Sequence, residues 1–230
     1  LQDNSSWVGA SDYPGGITNA QWENMFGGDG FWMFADPSNP DYLYAEAQGG
    51  EIGRVNRRTH EIRSIKPLPQ YGEGKLRFNW NTPIHMSLHH RGTIYIGAQF
   101  LFRSRDYGQT WQRIGREGPQ TFGGYFYPKH DGWIYMTLTE GAPGAGLWLS
   151  RDNGKTWRAF DELPFSNIQR VEFDPGNDAV IHVTTFGGSV WRGPAPSWAC
   201  LRVGRGVRPP APPRAVGVCQ RGAEVVLSVV

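Results

Sequence analysis

Short apolar runs, each bounded by turn residues, recur along this chain, and no segment shows sustained helical periodicity. Thr93-Ile94-Tyr95-Ile96 follows the turn Arg91-Gly92, and Trp133-Ile134-Tyr135-Met136 follows Asp131-Gly132 in the same way. Runs of this kind, rich in β-branched and aromatic residues and closed by Gly, Asp or Asn, predict strands. Downstream of each run stands an octapeptide, Ser104-Arg105-Asp106-Tyr107-Gly108-Gln109-Thr110-Trp111 and Ser150-Arg151-Asp152-Asn153-Gly154-Lys155-Thr156-Trp157. Both fit S-x-D-x-G-x-T-W. The Asp carboxylate can accept hydrogen bonds from backbone N–H groups of its own turn, and the Gly takes the positive φ that such a turn requires. Each octad therefore predicts a β-hairpin whose Trp packs against the sheet. The copies lie 46 residues apart, the length of a propeller blade built of strands.

The same pattern is weaker elsewhere. Tyr42-Leu43-Tyr44-Ala45 leads into Gly49-Gly50, Ile52, Val55, Ile62 and Ile65, so Ile62 stands where Trp111 stands and the Ser, Asp and Gly positions become Val55, Arg57 and Thr59. That hairpin is expected to persist without its Asp-centred turn. Val171-Glu172-Phe173-Asp174-Pro175-Gly176-Asn177-Asp178 echoes Phe34-Ala35-Asp36-Pro37-Ser38-Asn39-Pro40-Asp41 and belongs to another unit, which begins near Asn167 and runs through Val180 to Val183 and Gly187-Gly188 into Trp191. The repeats divide residues 1–197 into blades near 1–30, 31–66, 82–115, 124–161 and 167–193, an all-β fold expected to be a small propeller of four or five blades. The first blade is incomplete, and the apolar run 223–230 is the strand available to close it.

Composition narrows the class. Ten Trp, nine Tyr and twelve Phe with 31 Gly and 17 Pro suit short strands and tight turns. A net charge of +2, dispersed, gives no nucleic-acid footprint, and no apolar stretch reaches membrane-spanning length. Residues 198–230 form a Pro/Arg-rich extension that departs from the repeats; it reads as a loosely packed tail, as a basic arm, or as the product of an altered reading frame or end. Its Cys200 and Cys219 are the only cysteines, a bridge between them is open, and the repeats depend on none. No secretory leader opens these residues.

The octads resemble the Asp-box of the BNR repeat family, found in sialidases, xyloglucan-active hydrolases, sortilin-type receptors and photosystem assembly factors. More closely, Gly27-Gly28-Asp29-Gly30-Phe31-Trp32, Tyr44-Ala45-Glu46-Ala47-Gln48-Gly49-Gly50, Phe78-Asn79-Trp80-Asn81-Thr82-Pro83 and Thr184-Thr185-Phe186-Gly187-Gly188-Ser189-Val190-Trp191 resemble segments of sortilin-like bacterial propellers often labelled glycosyl hydrolase. The resemblance covers about residues 1 to 195, on a single-domain scale. It implies a longer relative with more blades, an extracellular or periplasmic setting, and a polysaccharide or glycan as partner, with a protein partner as a further option. It also implies a structural role for Ser104, Asp106, Gly108, Trp111, Ser150, Asp152, Gly154 and Trp157 at the blade rim.

Two functional classes follow. A glycoside hydrolase needs two carboxyls, one held protonated, about 5–5.5 Å or about 6.5–9.5 Å apart. Asp29, Glu46 and Glu140 are the candidates, because Asp29 lies in a Gly-rich connection and the other two stand at strand ends. A non-catalytic glycan- or protein-binding module would instead present Trp32, Trp80, Gln48 and Gln99. Neither class needs an organic cofactor. His85, His89 and His90 lack a companion Cys or carboxylate pattern, so no metal is assigned. Arg54, Arg77 and Arg103 lack a flanking pattern that would make them a sialidase set. No nucleophile-elbow, Walker or dinucleotide motif is present.

Overall fold

The computed structural model describes residues 3–114, 121–126, 129–138, 144–160 and 163–195. Glu140, Cys200, Cys219 and the run 223–230 lie outside them. The described residues form five antiparallel sheets. In the first, β1 (Ser6–Val8) pairs with β2 (Glu23–Phe26). Four-stranded meanders follow: β3 (Gly30–Asp36), β4 (Asn39–Ala47), β5 (Glu51–Asn56) and β6 (Ile62–Ser64); then β7 (Ile84–Met86), β8 (Ile94–Gly97), β9 (Leu101–Ser104) and β10 (Gln112–Ile114); then β11 (Thr121–Phe126), β12 (Ile134–Leu138), β13 (Gly146–Ser150) and β14 (Arg158–Phe160). The last sheet is β15 (Ile168–Asp174), β16 (Asn177–Thr185) and β17 (Val190–Pro194).

Each sheet packs on the next. Tyr44 and Ile52 of the second sheet meet Ile84, Ile94 and Ile96 of the third. Tyr95 and Ile114 of the third meet Ile134 and Met136 of the fourth, and Leu147 and Leu149 of the fourth meet Ile168 and Val183 of the fifth. The middle strands are covered on both faces, which is why β8 and β12 are buried along their whole length and read as continuous apolar runs. Fully burying one such Ile contributes about 1.5–3 kcal/mol.

The octads form the hairpins their chemistry predicts. Ser104 Oγ donates to Asp106 Oδ1 (2.7 Å) and accepts the Gly108 N–H (2.8 Å), while Asp106 accepts the Thr110 N–H (2.9 Å) and hydroxyl (2.6 Å). Asp152 binds Ser150 (2.9 Å) and Thr156 (2.9 and 2.6 Å) in the same pattern. These bonds, led by the Thr110 hydroxyl, hold the Asp106 carboxyl down at about 2. The octad turn also docks on the preceding turn of its own sheet: Tyr107 N–H donates to Gly92 O (2.9 Å), and Asn153 N–H to Gly132 O (3.0 Å). Gly108, at φ +84°, leaves no room for a side chain, since a Cβ there would lie 2.8 Å from Ile65 Cβ of the previous sheet. Gly154 stands against Ile114 in the same way.

The second sheet keeps the hairpin without the octad. Val55 pairs with Ile62, and Asn56 Oδ1 accepts the Arg58 and Thr59 amides at 2.9 and 3.2 Å. Arg57 N–H reaches Asp41 O (2.7 Å), the contact that Tyr107 and Asn153 make in their sheets. Polar contacts also join the turns of successive sheets at this end, from Arg91 to Ser38 O (3.4 Å), His90 to Asp131 (2.7 Å) and Lys129 to Asp178 (2.7 Å).

Candidate functional site

Antiparallel order divides the connections between two ends. The octads share one end with the β3–β4, β7–β8 and β11–β12 turns. Asp29, Glu46, Gln48, Trp80 and Gln99 occupy the other, where β4 turns to β5, β8 turns to β9, and the chain passes from sheet to sheet.

Most of the polar groups at this second end are committed to backbone. Gln48 Oε1 accepts the Asp29 N–H (2.7 Å), and Gln99 Oε1 accepts the Arg77 N–H (2.7 Å). The two glutamines stand at equivalent positions after Tyr44 and Tyr95, and each pins the segment that leads into the first strand of its own sheet. Asp29 is buried and accepts the Asp3 N–H (2.8 Å), fixing the segment that precedes β1. Glu46, on β4, is fully buried; its Oε1 accepts the Thr82 N–H (3.0 Å) from the segment leading into β7. Burial pushes the Glu46 carboxyl from 4.5 up to about 9, against the opposing pull of the Thr82, Gly50 and Trp32 amides. It is therefore a neutral acid at pH 7, and its Oε2 has no hydrogen-bond partner among the described residues.

Trp80 differs from these. It is 57% exposed, and its carbonyl accepts the Gly49 N–H (3.0 Å), which ties the segment carrying the indole to the β4–β5 turn. Nearby, Lys66 bridges Gly49 O (3.2 Å) and Glu51 (2.6 Å). Trp80 is thus held by its backbone while its ring faces solvent, the arrangement of an aromatic platform.

Trp32 lies within β3 with only 7% of its surface exposed. Its ring meets His85 of β7 edge-on at 4.9 Å, and the Arg170 guanidinium of β15 sits 4.4 Å above the ring. The first strands of the sheets therefore face one another. Four of them, β1, β3, β11 and β15, carry a register shift near their starts, between Ser6 and Trp7, Gly30 and Met33, Thr121 and Gly123, and Ile168 and Arg170. Such bulges re-aim side chains and recur beside functional sites. Arg170 gave no signal as a motif, but counting back from the Asp36/Asp174 echo puts it at the position of Trp32. The His85 Nε2 atom is shut off from solvent, and burial, helped by the Arg170 charge, pushes its pKa down to about 3. Among the described residues no group of His, Cys, Asp and Glu is arranged to hold a metal ion. Arg54 lies over Tyr42, while Arg103 donates to Asn153 O and Gln112, so these two arginines serve packing between strands and sheets.

No family model matches the chain. It is 25% identical over 177 residues to an oligoxyloglucan-reducing end-specific xyloglucanase of Emericella nidulans, a match covering 70% of this chain and 21% of that protein. Among solved structures, a GH74 xyloglucanase from Xanthomonas campestris superposes with a TM-score of 0.52 at 18% identity, over 72% of this chain and 29% of the other. An auxiliary nutrient binding protein from Bacteroides thetaiotaomicron gives a TM-score of 0.55 at 11% identity, over 74% and 40%. The chain spans about a fifth of the length of the curated relatives it matches. It is distantly similar to xyloglucanases, and its blade-like sheets are those of β-propeller proteins.

Proposed function

We propose that this chain is a carbohydrate-active propeller that binds a polysaccharide at the end opposite the octads, outside the cytoplasm, with a xyloglucan-type β-glucan as the first ligand to test. The distant similarity to xyloglucanases supports the ligand class, and the exposed, backbone-anchored Trp80 is the observation that carries the binding reading. Five blades, the first completed by strands outside the described residues, belong to the same proposal, as does the sortilin-like character of the repeats.

Binding without hydrolysis is the reading the geometry favours. Glu46 is sealed from solvent, and Asp29 is buried with Oδ1 held by the Asp3 amide, so the two do not form an exposed carboxylate pair. Hydrolysis remains the second reading because of one observation, the neutral Glu46 acid, since a protonated carboxyl is what the leaving group requires. Glu140 would then be its partner.

Affinity electrophoresis in xyloglucan gels, with a reducing-sugar assay on the same polysaccharide, separates the readings. Retardation without sugar release is expected. Release that disappears in Glu46→Gln, with the fold and xyloglucan retardation retained, would establish the hydrolase instead. Absence of both retardation and release across xyloglucan, other β-glucans and pectins would remove the carbohydrate proposal.

A further inference from the structure

We infer that Arg170 and Trp32 form an anion-reading seat where the first strands converge, suited to the carboxylate of a uronate-bearing polysaccharide. This rests on the carbohydrate reading above and adds the charge of the glycan to it.

Arg170 is exposed, yet its guanidinium is held 4.4 Å above the Trp32 ring. Among the described residues it forms no ion pair. Arg58, Arg113 and Arg192 by contrast each have a carboxylate, on Asp41, Glu73 and Asp174. A guanidinium resting on an indole engages the ring with its face and leaves its N–H edge for a ligand, and that edge matches a carboxylate bidentately.

Trp32 cannot itself stack on a sugar, because only 7% of it is exposed and Arg170 covers the ring. Its part is to hold the cation in place. The bulges that begin β3 and β15 set both side chains toward this point from non-adjacent sheets. The seat lies at the bulged starts of these strands, on the end where Trp80 is exposed. A neutral glucan gains nothing from an unpaired guanidinium, whereas a uronate supplies the missing counter-charge.

The test is calorimetric titration of the whole chain with trigalacturonate, with its fully methyl-esterified form and with a neutral xyloglucan heptasaccharide, at low and at physiological salt. Trigalacturonate is expected to bind at least tenfold more tightly than its ester and to weaken with salt. Arg170→Gln should lose that tenfold advantage, and Arg170→Lys, which keeps the charge without the fork, should fall between. Equal binding of acid and ester, or an unaltered preference in Arg170→Gln, overturns the seat; heptasaccharide binding in that case leaves the carbohydrate reading standing. Should no glycan bind while a peptide with a free C-terminal carboxylate binds and its amidated form does not, both are overturned. The ester comparison needs no variant, so it stands even if an Arg170 substitution disturbs folding.

Discussion

The Thr82 amide donates to the buried Glu46 carboxyl at 3.0 Å, so a side chain from the second strand of one sheet holds the segment leading into the next. The cost of burying that carboxyl shows in its raised pKa, and the arrangement holds because the group stays neutral. A residue with the chemistry of a catalytic acid thus serves as an inter-sheet fastening.

Stability should therefore depend on pH through Glu46. Folded, the group titrates at about 9; unfolded, near 4.5, so its contribution is complete below pH 4.5 and is lost as pH rises toward 9. The limiting slope is about 1.4 kcal/mol per pH unit. Glu46→Gln, which keeps an acceptor for Thr82 and cannot ionise, should flatten the melting temperature between pH 5 and 9. An unchanged slope would show that Glu46 is ionised in the fold.

His85 should act in the opposite direction. Its folded pKa of about 3 lies below the ordinary 6.5, so the stability it contributes is present above pH 6.5 and is lost as pH falls toward 3. Chemical denaturation of His85→Leu between pH 3 and 7 should show a weaker acid-side decline than the parent chain. An identical decline would place the proton uptake elsewhere.

Two glycines with the same backbone conformation separate strain from packing. Gly108 and Gly187 have φ of +84° and +86°, but a Cβ at Gly187 meets nothing within 4 Å, whereas at Gly108 it strikes Ile65. Gly187→Ala should cost about 1–2 kcal/mol from the left-handed conformation alone. Gly108→Ala should cost about 1–3 kcal/mol more from overpacking between sheets. Equal costs in urea unfolding would mean that the octad does not fasten one sheet to another.

Asp106→Ala should destabilise the fold by about 1–2 kcal/mol, the range for removing a side chain that caps several backbone amides. Glycan binding should be unchanged, because the octads lie at the opposite end. The loss should vanish as pH falls toward 2, where the native carboxylate is itself protonated. A binding defect at unaltered stability would contradict the assignment of the octads to structure.

Local chemistry was legible in the sequence, and convergence was not. Ser104 to Trp111 encodes its turn within eight residues, so the hairpin, its low carboxylate pKa and its second copy follow from the letters alone. The decayed hairpin aligns through Ile62, although no local motif marks Asn56 as the substitute cap. Glu46 and Gln99 look like polar residues at strand ends, and only the segments that fold over them, around Thr82 and Arg77, reveal them as buried acceptors. His85 neighbours His89 and His90 in sequence, while its ring neighbours in the fold are Trp32 and Phe34. Arg170 meets Trp32 only because two bulged strands approach from separate sheets, a relation that no local window contains.

The dissociation constant for xyloglucan heptasaccharide, compared between the parent chain, Trp80→Ala and Leu88→Ala, bears most directly on the proposed binding face. Trp80 and Leu88 are both exposed, but Leu88 sits in the β7–β8 turn at the octad end. The expected result is about tenfold weaker binding for Trp80→Ala, equivalent to roughly 1.4 kcal/mol of lost contact, with Leu88→Ala unchanged. Binding that survives in Trp80→Ala and weakens in Leu88→Ala would put the ligand on the wrong end of the molecule and contradict the account.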